Sequence, residues 1–210
     1  MLIHPKFLTF KKDCMRYLIV ILTSLPLFLF SQGSLNLPTF VDTAIFRSQP
    51  LEQPNGEAGL IQIHDHQLNV LVFLSPECPL SINYTKPLNE LAADYPGKVN
   101  FIGIVPGRSY DASVVEQFVK EYGLRFQVYI DKEKRITKTA RATITPEVVA
   151  FNARGEILYR GAIDDWAIAP GKKKQNASKR YLNNAIQAFI TGSEIPVKTT
   201  RAVGCLINDY

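Results

Sequence analysis

The chain has 210 residues, 46% of them hydrophobic, enough to bury one good core and to make one domain with extensions. Its 24 lysines and arginines outnumber 19 acidic residues, but Lys6, Lys11, Lys12, Arg16 and Asp13 all precede Tyr17. The remaining 20 against 18, without interleaved aromatics, gives no basis for nucleic-acid binding. Three cysteines are too few for a disulfide scaffold.

Residues 1–33 have the pattern of a signal peptide or N-terminal anchor. Cations lead into a mostly apolar run from Tyr17 to Phe30 that ends at Ser31-Gln32-Gly33-Ser34. The run is shorter than the ~20 residues of a spanning helix, and Pro26 interrupts it, so cleavage is favoured over a permanent anchor. Met15, directly before Arg16 and the apolar run, could serve as the translation start. The expectation is an exported protein of the periplasm or cell envelope, attached to the membrane only if the segment is retained. Residues 34–192 then form one α/β domain, and 193–210 a tail. Cys14 falls with the leader, which leaves Cys78 and Cys205 on the oxidising side, where disulfides persist.

From Leu35 to Pro54 the chain is expected to be an irregular arm. Leu60–Ile63 suggests a short strand. Leu68–Leu74, almost continuously apolar and rich in branched side chains, suggests a strand buried on both faces. Cys78–Tyr95 carries Leu80, Tyr84, Leu88, Leu91 and Tyr95 at helical spacing, with Pro87 as a kink. Val99–Val105 is a second long strand. Asp111 caps a helix bearing Val114, Val115, Phe118, Val119 and Tyr122 and ending at Gly123. Phe126–Ile130 is a strand and Asp131–Ala142 a short helix. Val148–Phe151 and Ile157–Tyr159 flank Asn152-Ala153-Arg154-Gly155 as a hairpin, and a helix over about Ala177–Ile190 closes the domain. Alternating strands and helices followed by a hairpin and a helix imply a mixed sheet between helical layers.

Cys78 directly follows the buried central strand and opens a helix. Its sulfur is therefore expected at the carboxyl edge of the sheet, facing first-turn N–H groups, an arrangement that favours the reactive thiolate. Glu77 opposes that effect. The turn formers Ser75, Pro76 and Pro79 around it argue against a cysteine that merely fills the core.

The run Val72-Phe73-Leu74-Ser75-Pro76-Glu77-Cys78-Pro79-Leu80-Ser81 resembles the active-site segment of thioredoxin-like redoxins of the AhpC/TSA type, especially exported bacterial members. Thr145-Pro146 resembles the loop in which a cis proline faces the active cysteine. Ala202-Val203-Gly204-Cys205-Leu206-Ile207 resembles a tail of this subgroup. The resemblance implies a thioredoxin-like fold and a catalytic set of Cys78, Cys205, Ser81 and Pro146. Partners would be a protein or small-molecule disulfide and an external thiol reductant.

Ser81 stands where a dithiol thioredoxin has its second cysteine, so the short active-site disulfide cannot form. Ser81 is either a hydrogen-bond donor to the Cys78 thiolate or a helix-surface serine. Three chemistries stay open. Cys78 attacks a disulfide and Cys205 resolves it from a flexible tail; Cys78 works alone; or Cys78 reduces a peroxide through a sulfenic acid. Peroxiredoxins share the Ser75 and Pro79 positions, but have a proline where this chain has Leu71 and an arginine near the site. Arg141, Arg154 and Arg160 are the candidates for that arginine, and without one disulfide exchange is favoured. Two bland alternatives are a structural Cys78–Cys205 bond and a non-catalytic binding module of the cell envelope. His64-Asp65-His66 offers too few ligands for a metal site, and no cofactor is implied. Asp164-Asp165 and the acceptor patterns at Asn83 and Asn176 are assigned no role.

Overall fold

The computed structural model describes residues 39–208. The leader expected over 1–33 lies outside the described residues. No helix among the described residues is long and apolar enough to cross a membrane.

The elements in order are α1 (Thr43–Ser48), β1 (Leu51–Glu52), β2 (Ala58–Gly59), β3 (Leu68–Phe73), α2 (Pro79–Asp94), β4 (Val99–Pro106), α3 (Ala112–Glu121) and β5 (Gln127–Asp131). They continue with α4 (Arg135–Ala140), β6 (Ile144–Thr145), β7 (Glu147–Phe151), β8 (Ile157–Gly161), β9 (Ala167–Ala169), β10 (Lys172–Lys173), α5 (Tyr181–Thr191) and β11 (Cys205–Leu206). Seven strands form one mixed sheet in the order β2-β1-β5-β4-β3-β7-β8. β3 runs parallel to β4 and β4 to β5, while β7 returns antiparallel beside β3.

Every side chain of β3 is buried, because helices cover both faces and the strand lies mid-sheet. Leu68, Val70 and Val72 pack with Tyr84 and Leu88 of α2 and with Leu182 and Ile186 of α5. Leu71 and Phe73 turn to the opposite face, against Phe46 of α1 and Ile136 and Ala140 of α4. Each such side chain contributes about 1.5–3 kcal/mol by leaving water, so β3 is a rigid platform for whatever follows its carboxyl end.

Several expectations give way to tertiary context. The arm before Pro54 is not irregular throughout: Asp42 accepts a hydrogen bond from the Ala44 N–H and caps α1, and β1 pairs with β5. Leu60–Ile63 is not a strand. Buried Asn69 takes the place of a strand partner, accepting from the His64 N–H and donating to the His64 carbonyl, each at 3.2 Å, while Asn100 donates to the Gln62 carbonyl. The helix expected from Ala177 begins at Tyr181. The preceding turn is organised by Asp165, which accepts from the N–H groups of Ser178 and Lys179 and pairs with Lys174.

The largest departure is the tail. Arg160 N–H donates to the Lys198 carbonyl and Thr200 N–H to the Arg160 carbonyl, both at 3.0 Å, laying the chain parallel to β8. The Thr200 hydroxyl accepts from the Ala162 N–H and lies 2.6 Å from the Tyr159 hydroxyl. Gly161, at φ 127°, has no space for a side chain because the Thr200 backbone crosses over it. Ala202 is buried, and β11 then pairs antiparallel with β6, Cys205 opposite Thr145. The segment expected as a flexible tail is a docked strap.

Candidate active site

The turn before α2 is written in local chemistry. Ser75-Pro76-Glu77-Cys78 closes with the Cys78 N–H donating to the Ser75 carbonyl at 3.1 Å, and proline at the second position suits a β-turn. Pro79 occupies the first helical turn, where a missing N–H costs nothing. Cys78 becomes the N-cap of α2 with only 1% of its surface exposed.

Its sulfur does not cap the helix, contrary to the expectation that it faces the first-turn N–H groups. It turns across the sheet edge, 3.1 Å from the Thr145 carbonyl oxygen, and is bonded to Cys205. The two α-carbons are 6.1 Å apart, within the span a disulfide bridges. The reason for the turn is that β11, paired to β6, brings Cys205 against Thr145. Cys205 itself is solvent-exposed, and Leu206 beside it is 73% exposed. The residue on one side of the bond is therefore sealed and the residue on the other is exposed.

The Thr145–Pro146 peptide is cis, and both residues are buried. The loop is held by Glu147, a buried carboxylate that accepts from the N–H groups of Thr143 (2.9 Å) and Ile144 (3.3 Å). Burial pushes the Glu147 carboxyl above its usual range, opposed by those two hydrogen bonds and by Arg160.

Ser81 is fully buried, not on the helix surface. Its hydroxyl accepts from the Ser75 N–H at 3.2 Å, tying the helix back to the turn that carries Cys78. On the other side the Ser75 hydroxyl lies 3.0 Å from the Tyr110 hydroxyl, which also donates to Glu77 at 3.3 Å. Tyr110 was not legible in the sequence, because the Ser109-Tyr110 loop after β4 has no pattern. Asp164 accepts from the Tyr84 hydroxyl at 2.5 Å, and burial together with that carboxylate raises Tyr84 far above the ordinary tyrosine range. The pair anchors α2 to the loop after β8.

A cavity of about 610 Å³ opens beside the disulfide, bounded by Cys78, Tyr110, Thr145 and Cys205 and by the loop between β5 and α4. None of Arg141, Arg154 and Arg160 lines it. Arg154 pairs with Glu156, and Arg160 donates to the Ala140 carbonyl at the end of α4. Arg108 does line it, and is paired with Glu133. His64, Asp65 and His66 are exposed loop residues.

The architecture is a thioredoxin-like α/β fold, in keeping with the redoxin resemblance. No family model matches the sequence, and no curated protein matches it. Among solved structures, an uncharacterized conserved protein from Geobacillus kaustophilus superposes with a TM-score of 0.69 at 22% identity, covering 83% of this chain and 93% of that one. A hypothetical protein from Sinorhizobium meliloti gives 0.68 at 23%, covering 76% and 89%. A secreted Mycobacterium tuberculosis disulfide oxidoreductase, described as homologous to E. coli DsbE, gives 0.52 at 21%, covering 70% and 98%. At these identities the likeness defines the fold, and the chemistry must be argued from the site.

Proposed function

We propose that this chain is an exported thiol-disulfide oxidoreductase that cycles through the Cys78–Cys205 bond. The observation that carries the reading is the asymmetry of that bond, with Cys78 sealed at the β3–α2 junction and Cys205 open to solvent beside a cavity. A bond formed only for stability gains nothing from an open flank. Closing a loop across 127 residues would stabilise the fold by about 5 kcal/mol in the chain-entropy picture, and that gain exists whether or not the bond turns over.

The exposure also assigns roles. An incoming thiolate reaches the Cys205 sulfur; the disulfide breaks and its electron pair leaves on Cys78. Once protonated, the Cys78 thiol can donate to the Thr145 carbonyl at 3.1 Å. A second thiolate attacks the incoming sulfur of the mixed disulfide, releasing an oxidised pair and the Cys205 thiolate. Run in reverse, Cys205 meets the substrate disulfide and Cys78 resolves the intermediate. This inverts the order that the position of Cys78 alone suggests. The substrates are a protein or small-molecule disulfide and an external thiol. The leader over 1–33 and the secreted neighbour support an envelope location.

The test is turnover of a protein disulfide, such as insulin, with dithiothreitol as donor. The wild-type protein should accelerate reduction well above the uncatalysed background while consuming no hydrogen peroxide under the same thiol supply. Peroxide consumption without insulin reduction would replace this reading with a peroxidase.

A further inference from the structure

Resting on that reading, we propose that Glu147 and Arg160 are positioning residues, two buried opposite charges that set where the strap docks and thereby how firmly the Cys78–Cys205 bond closes. Val149 lies opposite Arg160 in the β7–β8 ladder, and Glu147 precedes Val149 by two on β7, so both charges stand on the sheet face that α1 and α4 cover. Arg160 is only 3% exposed and Glu147 8%. Each lies at one end of the strap. The Arg160 backbone takes the first contacts, from Lys198 and Thr200. The Glu147 carboxylate holds the N–H groups of Thr143 and Ile144, and the same two residues take the last contacts: the Ile207 N–H donates to the Thr143 carbonyl at 2.9 Å, and Leu206 pairs with Ile144. The Arg160 guanidinium also holds the Ala140 carbonyl at the end of α4, just before Thr143. Cys205 lies between the two anchors, so an error in their spacing becomes an error in the placing of its sulfur.

Stability does not account for these charges. Burial raises the Glu147 carboxyl and lowers the Arg160 guanidinium, and the attraction between them offsets only part of either effect. The Arg160 Nε and Nη1 are buried with no hydrogen-bond partner among the described residues. Apolar side chains of similar volume would stabilise the same site as well or better. What buried charges supply in such a place is one register in preference to others.

The experiment compares the wild type, Glu147→Gln and the double variant Glu147→Leu with Arg160→Met in two measurements. The first is the closing equilibrium in mixtures of reduced and oxidised dithiothreitol, read by alkylation and mass. Oxidised dithiothreitol takes two electrons and two protons from the Cys78 and Cys205 thiols as the bond closes, and reduced dithiothreitol returns them. The second is the melting temperature of the fully reduced protein, which reports the fold without the bond. In the double variant closing should weaken roughly tenfold, a midpoint about 30 mV less negative, while the reduced fold melts no lower than the wild type. Glu147→Gln keeps an acceptor for both N–H groups but not its charge, and should weaken closing about threefold. A double variant that closes as firmly as the wild type, or whose reduced form melts well below it, would overturn the positioning role and leave the redox reading intact. If the double variant does not fold, Glu147→Gln decides alone, and unchanged closing there overturns the proposal. A wild-type bond that dithiothreitol does not open in the native fold would overturn both.

Discussion

Serine in place of Cys78 is expected to bring turnover down to the uncatalysed background while Cys205 still collects a mixed disulfide with the substrate. The argument rests on burial. Cys205 is exposed on a two-residue strand, so it keeps its access when Cys78 is changed, but the thiolate that would displace the substrate from it is gone. The reciprocal variant, Cys205→Ser, should also lose turnover for a different reason. The strap can stay docked through the Ile207 N–H donated to the Thr143 carbonyl and the Thr200 contacts, and Cys78 stays covered. Intact mass after incubation with a disulfide substrate distinguishes the two: a stable adduct on Cys78→Ser, and slow or no adduct on Cys205→Ser. Alkylation of Cys78 in Cys205→Ser should be slower than that of a cysteine peptide. The opposite pattern would return the encounter role to Cys78.

The second large effect is expected at Gly204, whose backbone passes so close to the Thr145 carbonyl that a methyl group would overlap both its oxygen and its carbon. The obstacle is backbone, so it cannot rotate aside, and the β11–β6 pairing must open to admit alanine. Overpacking of this kind costs about 1–3 kcal/mol, equivalent to roughly five- to over a hundredfold in the closing equilibrium. Gly204→Ala should therefore shift the protein towards two free thiols in a redox buffer that keeps the wild type closed, without unfolding the sheet. Thiol titration of the folded protein measures this, with circular dichroism as the control for folding. An unchanged closing equilibrium would mean that the pairing with Thr145 does not deliver Cys205 to Cys78.

How much of this was legible in the sequence depends on the length of each element. β3, β4 and α3 carry long apolar patterns that burial on one or two faces enforces, and they lie within a residue or two of where periodicity puts them. The position of Cys78 after β3 and the turn chemistry of Ser75, Pro76 and Pro79 were equally readable, since each residue acts on its immediate neighbours. The strap was not. β6 and β11 are two residues each, too short for any period, and residues 198–208 are docked mainly by backbone hydrogen bonds, a threonine hydroxyl and the disulfide, with Ala202 and Ile207 packing inward as too sparse a hydrophobic pattern to read. Gly204 before Cys205 was the one available signal of close backbone approach. Of the two sequence readings of Ser81, the helix-surface one fails because α2 buries the residue, where its hydroxyl accepts from the Ser75 N–H.

The most direct test of the central claim is the redox equilibrium of the folded protein. The wild type would be poised in buffers of graded thiol-disulfide ratio, trapped by alkylation and weighed. A reversible two-electron transition is predicted, in which Cys78 and Cys205 gain their alkyl groups together in the native fold, with a midpoint above about −300 mV, the level below which structural disulfides generally lie. A bond that stays closed until the protein unfolds, or a midpoint well below that level, would make Cys78–Cys205 a structural bridge and contradict the account.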